Sequence, residues 1–184
     1  MKIENRPLTA TTRWLHGLIA ISIMTMLAYG FVMEELEFDG AVLLHISFGL
    51  TLLIFIAYRV LRRLSIGWPE PNTQHSETTR RVARLAQWIL LLASLLMPLS
   101  GLLMAAMSGW GLQWFGVELM AWSPNPAVPG EVIPVSEFLS GVGHEIHEYT
   151  AFVLIAGIVL HVAGALKHHF ADRDNTLRQM WRGQ

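Results

Sequence analysis

The sequence predicts an all-α integral membrane protein, a four-transmembrane-helix bundle with both termini cytoplasmic. Three observations lead there. The 184 residues are 53% hydrophobic and only 15% charged, where a soluble domain carries about 25% charge. The apolar residues gather into four runs long enough to cross a hydrocarbon core of about 30 Å. The cations fall on only one side of those runs.

The first run, about 14–33, starts after polar residues, is too long for a cleavable signal, and ends without a small-residue cleavage site, so it reads as a retained span. The second covers about 41–58, the third about 85–107 and the fourth about 149–166. Backbone polar groups cannot stay unpaired in lipid, and runs this long and rich in Leu, Ile and Ala satisfy them as helices. Pro98, in Met97-Pro98-Leu99-Ser100-Gly101, is expected to kink the third. The outer connection, 108–143, holds Pro124, Pro126, Pro129 and Pro134, which excludes a continuous helix. With Trp110, Trp114, Phe115 and Trp122 it is expected to lie on the outer surface as a lid. The inner connection, with Trp68, Pro69, Glu70, Pro71 and Asn72, reads as a polar turn, and 1–184 as a single membrane domain.

Orientation follows from charge. Lys2, Arg6 and Arg13 precede the first run. Arg59, Arg62, Arg63, Arg80, Arg81 and Arg84 flank the link between the second and third, and Lys167, Arg173, Arg178 and Arg182 follow the fourth. The link from first to second carries Glu34, Glu35, Glu37 and Asp39, and no Lys or Arg lies between Arg84 and Lys167. Positive loops stay inside, so both termini are inside. Trp14, Tyr58 and Trp88 then sit at inner ends and Tyr29, Trp110, Trp114 and Tyr149 at outer ends, the headgroup levels that aromatic residues favour.

The net charge of −1 excludes a strongly basic nucleic-acid binder. The lack of cysteine excludes disulfides, thiolate metal centres and covalent c-type haem. Any cofactor must hang on nitrogen or oxygen, and eight histidines are the conspicuous source.

Four of them lie within or at the rims of spans: His16, His45, His147 and His161. Ionisable residues at such depth are rare and usually functional. Fourteen positions separate His147 from His161, about 40° in azimuth and about 21 Å in height, so they share a helix face near its two ends. His16 matches the depth of His161 at the inner side, and His45 that of His147 at the outer side. Two stacked pairs on facing helices are how a bundle holds a flat metallo-cofactor, and bis-histidine haem b needs one imidazole on each face of the iron. Taken singly, each histidine also fits polar glue between helices. A divalent-metal or proton pathway normally enlists Asp or Glu within the spans, and none is there.

His75 reads as solvated, His144 as interfacial or as a quinone-contacting group, and His168 and His169 as headgroup anchors or contacts to haem propionates. Gly17, Gly49, Gly157 and Gly164 stand near these histidines and give room for close packing or a flat ring.

The chain resembles the bacterial cytochrome b561 proteins. The resemblance rests on Leu15-His16, Leu44-His45 with Gly49, Arg59 and Arg62, on Pro98-Leu99-Ser100-Gly101, on His147-Glu148 and His161, and on the tail from Ala165 through Phe170 and from Arg173 to Met180. It implies a four-helix di-haem b, quinone-linked carrier of the bacterial inner membrane, with His16 and His161 on the inner haem iron and His45 and His147 on the outer. It further implies ubiquinone as electron partner beside an unidentified outer-side donor and, for some members, superoxide oxidation. Two departures stand out. Gln87 occupies a position where members often carry a non-ligand histidine. The outer face lacks Lys and Arg and carries Glu118, Glu131, Glu137, Glu145 and Glu148, which is unsuited to steering an anion. A cytochrome b subunit anchoring a larger dehydrogenase or hydrogenase is the competing redox expectation.

Overall fold

The computed structural model describes residues 9–33, 35, 40–67, 76–174, 177, 178 and 180. Among them are four long helices, α1 (Ala10–Val32), α2 (Ala41–Ile66), α3 (Glu77–Met107) and α4 (Glu137–Phe170), and a two-stranded hairpin, β1 (Leu112–Trp114) and β2 (Val117–Met120), between α3 and α4. Each helix is long and apolar enough to cross a membrane. The expected inner turn at Trp68 to Asn72 lies outside the described residues, as do His75, Lys2, Arg6, Glu34, Glu37, Asp39 and Arg182.

The helices outrun the apolar stretches that announce them. Thr9 caps α1 by accepting from the Thr12 N–H, Ser76 caps α3 by accepting from Thr79, and Ser136 caps α4 by accepting from Leu139. α2 runs past Tyr58 through Arg59, Arg62 and Arg63 and stops at Gly67, whose φ of 81° breaks the helix. α4 starts at Glu137 rather than near Tyr149, because the polar turns Glu137 to Glu148 are helical but not hydrophobic. At 34 residues α4 is about 51 Å long, well beyond a hydrocarbon core of about 30 Å.

Buried residues are few and mostly small or aliphatic. Ile19, Leu52 and Ile56 join α1 to α2, while Leu27, Ala93, Ala151 and Leu154 tie α1, α3 and α4 together. Gly143 lets α4 touch α3 backbone to backbone, since a Cβ there would stand 2.7 Å from the Met104 nitrogen. Large side chains such as Ile21, Ile54 and Leu160 face outward, more than 60% exposed. That inversion suits a lipid solvent.

The 108–136 connection is folded rather than draped. Phe115 and Gly116, at φ 47° and 85°, form a two-residue turn between the paired Trp114 and Val117, as tight hairpins favour. Gly109 leaves no room for a side chain, because a Cβ would lie 2.4 Å from the Ile133 carbonyl oxygen. The hairpin of this connection leans on the flank of α2, where the Phe115 N–H donates to Ser47 Oγ at 2.9 Å and the Trp114 indole N–H to Thr51 Oγ1 at 3.0 Å. Hydroxyls on an otherwise apolar helix gave those donors a partner, which a reading by hydropathy cannot see.

Two ends of the bundle are thereby distinguished. The hairpin end carries the C-terminal ends of α1 and α3 and the N-terminal ends of α2 and α4. The basic end carries Arg59, Arg62, Arg63, Arg84 and the tail of α4.

Candidate functional site

Two pairs of imidazoles face each other across the bundle. His16 of α1 and His161 of α4 meet toward the basic end, their ring centroids 6.3 Å apart and their planes at 81°. His45 of α2 and His147 of α4 meet toward the hairpin end at 6.1 Å and 74°. His16, His45 and His147 are half-buried, while His161 is exposed. α4 thus contributes one ring to each pair and α1 and α2 supply the partners.

α3 supplies no ring but sets one. His147 Nδ1 lies 2.9 Å from the Met97 carbonyl, which can only accept, so Nδ1 carries the proton and Nε2 keeps its lone pair. Ser100 Oγ stands 3.3 Å from the same Nδ1. A backbone carbonyl fixing the far nitrogen of an imidazole is the usual support of a metal-binding histidine. Gly101 makes space for it, since a Cβ there would sit 2.9 Å from His147 Cε1, and Gly30 does the same for His45 at 3.3 Å. Sequence reading looked for this space at glycines near the histidines on their own helices. Gly17, Gly49 and Gly164 border open space, and Gly157 faces Leu90. The glycines that admit rings belong to neighbouring helices, and Gly101, three residues after Pro98, was the available signal.

Nδ1 of His16 and Nδ1 of His45 are buried without a hydrogen-bond partner among the described residues. Polar glue between helices requires satisfied rings, so this role does not account for them. Among the described residues no three His, Asp or Glu side chains gather to cage an ion. The donor set is therefore two opposed imidazoles per site. A metal–imidazole bond of about 2.0–2.1 Å and a ring radius of about 1.1 Å on either side separate two axial ring centroids by about 6.3 Å. The observed spacings match one metal centre held between each pair.

The surroundings of the pairs differ in sign. Arg59 and Arg63 lie within electrostatic range of His16, and Arg59 of His161. At the other end His144 faces Glu148 at 3.8 Å, both well exposed, as an interfacial pair. His168 sits in a carboxylate clamp beyond the basic end, with Nδ1 2.7 Å from Asp172 and 3.7 Å from Asp174. His169 packs edge-on to Phe170 with its Nδ1 buried and unpartnered among the described residues. Gln87 is half-buried on α3.

A membrane-spanning helical bundle with histidine pairs facing each other between its helices defines a class, the membrane cytochromes that hold haem between helices. Residues 8–183 match the family described as Prokaryotic cytochrome b561. Cytochrome b561 homolog 2 of Escherichia coli (strain K12) is 32% identical over 170 residues, covering 90% of this chain and 86% of that protein. The chain belongs to the prokaryotic cytochrome b561 family, a family of haem-binding membrane electron-transfer proteins. The residues present suit the group. Imidazoles facing each other with ring centroids 6.1–6.3 Å apart, and arginines at the basic end within electrostatic range of one pair, would suit a noncovalent haem and its propionates.

Proposed function

We propose that the protein is a di-haem b carrier of the bacterial inner membrane, both termini cytoplasmic, that exchanges electrons between a periplasmic redox partner and ubiquinone. His16 and His161 hold the inner haem iron, and His45 and His147 the outer. The observation that carries this reading is the pair of ring separations, 6.3 and 6.1 Å, each fitted to one iron. Orientation rests on the one-sided distribution of Lys and Arg.

Haem supplies a one-electron couple when bound, and the protein supplies ligation, burial and charge. Two imidazoles per iron leave no open coordination position, so the chain is built for transfer rather than for bond-making at the metal. The Met97 carbonyl holds His147 in the tautomer that presents Nε2. Gly101 and Gly30 keep ring and backbone close enough for that geometry. Arg59 and Arg63 make the basic end the side where added negative charge is better tolerated. The hairpin end offers carboxylates instead, which favours a cation-bearing donor there over superoxide.

The test is spectroscopic. Purified, dithionite-reduced protein should show low-spin haem b bands and about two haems per chain, two being the count that His pairs permit. His16→Ala and His161→Ala should each lose the same haem and retain the other, and His45→Ala and His147→Ala should lose the second. A colourless preparation, or single variants with full haem content, would overturn the assignment. Co-purification of a large soluble dehydrogenase would instead favour a cytochrome b subunit anchoring that enzyme.

A further inference from the structure

The β1–β2 hairpin leans on the outside of the bundle. On α2, Leu52 and Ile56 fall within about 20° of His45 and mark the inward face, whereas Ser47 and Thr51 lie about 200° and 240° round from it. Ser47 nonetheless has no exposed surface, with the hairpin's turn bonded to its hydroxyl. Phe115 packs edge-on against Phe48 at 5.2 Å on the same flank. The hairpin therefore occupies a place where α2 would otherwise meet lipid.

The hairpin is also two-faced. Trp114 pairs with Val117 on one side of the ladder, while Leu119 is the extra residue of a bulge opposite Leu112 and Gln113. Val117 is 57% exposed, and Trp114, partly covered by α2, is 40% exposed. Gln113 pairs with Glu118 on the opposite side. The apolar face points into the span, because the Trp114 indole reaches Thr51, about 6 Å further along α2 than Ser47, where the Phe115 backbone is held. Trp110 and Trp122 flank the hairpin, 62% and 52% exposed, as headgroup-level aromatics do. A strand pair lying flat at this level keeps its free backbone edge among headgroups and water, which an edge sunk in hydrocarbon would lack.

We propose that the hairpin is an interfacial membrane anchor, whose Trp114 and Val117 face rests on the acyl chains of the adjoining leaflet while Gln113 and Glu118 face the headgroups. Its occupant is lipid, continuous with the lipid belt around α2. No cation lies between Arg84 and Lys167 to draw anionic headgroups, so the contact is apolar and indifferent to lipid charge.

Because the chain has no cysteine, single labels can be placed without a background. Val117→Cys and Glu118→Cys, each carrying a nitroxide, are compared in phosphatidylcholine vesicles by collision with oxygen and with a water-soluble nickel chelate. The Val117 label should favour oxygen several-fold over the Glu118 label. Equal access of nickel to both labels would overturn the proposal. So would shielding of the Val117 label from both agents, which would mean that protein, such as a second copy, covers the face. Replacing a quarter of the lipid by phosphatidylglycerol should leave the contrast unchanged, and a strong dependence on that anionic lipid would also count against it.

Discussion

Four histidines stand out by depth in the chain, and their neighbours then fix what each can do. Gly101 and Met97 together impose on His147 a position and a tautomer. Gly101→Ala would push a methyl group to 2.9 Å from the ring, and overpacking of this kind costs about 1–3 kcal/mol. On the proposed di-haem assignment, the haem held by His45 and His147 should be lost in that variant while the other is kept, which a haem assay with potentiometric resolution would read. The four histidines were legible because hydropathy makes a polar residue in an apolar run conspicuous. Their supports were not, because a carbonyl acceptor and a bare Cα on another helix leave no trace in the pattern of one helix. Asp172 shows a different residue-scale effect, outside the membrane. The hydrogen bond from Lys167 is the first cause that holds its carboxyl below the ordinary 3.8, with the bond to His168 next. A carboxylate depressed on folding stabilises above its unfolded value and loses that contribution as pH falls through the folded one. The clamp at the end of α4 should therefore stay closed at neutral pH and loosen only below 3.8, as followed by amide exchange around His168 to Asp174. Asp172→Asn should abolish that acid dependence.

Elements were legible in kind and misjudged in extent. Apolar runs locate the parts of helices that lie in lipid, so α4 was expected from near Tyr149, whereas its capped start is Ser136 and Glu137. The Ser-Glu pair at those positions is the signal that hydropathy ignores. The hairpin was likewise present in the alternation of Leu112, Trp114, Val117 and Leu119 around Gly116, masked by the prolines that follow. Helix-to-helix spacing between α3 and α4 depends on Gly143. Its absent Cβ would meet the Met104 and Ser100 backbones at 2.7 and 3.0 Å. Backbone cannot rotate away as a side chain can, so Gly143→Ala should destabilise the bundle by about 1–3 kcal/mol. A lower midpoint in detergent thermal unfolding, with bound haem released in the same transition, would show it.

At the scale of the molecule, charge is sorted along the bundle axis. The basic end holds Arg59, Arg62, Arg63 and Arg84, and the hairpin end holds Glu118, Glu131, Glu137, Glu145 and Glu148. Such a field acts over about 8 Å at physiological salt and chiefly sets association rates. In nanodiscs, which expose both faces, Glu145→Lys with Glu148→Lys should speed reaction with anionic ferricyanide and slow it with a cationic ruthenium ammine. Both differences should shrink as salt is raised. Superoxide, also an anion, should follow ferricyanide. If the two probes respond alike to the substitutions, the acidic face has no part in choosing the partner.

The bonds that seat the hairpin on α2 join residue 115 to 47 and residue 114 to 51, partners separated by 68 and 63 positions. Each bond closes a loop that contains the whole of α3, so seating the hairpin carries the loop-closure entropy of more than sixty residues. Ser47 and Thr51 also donate to the carbonyls of Leu43 and Ser47 within α2. Each hydroxyl therefore keeps a partner in its own helix whether or not the hairpin is seated, which keeps the cost of an unseated hairpin low.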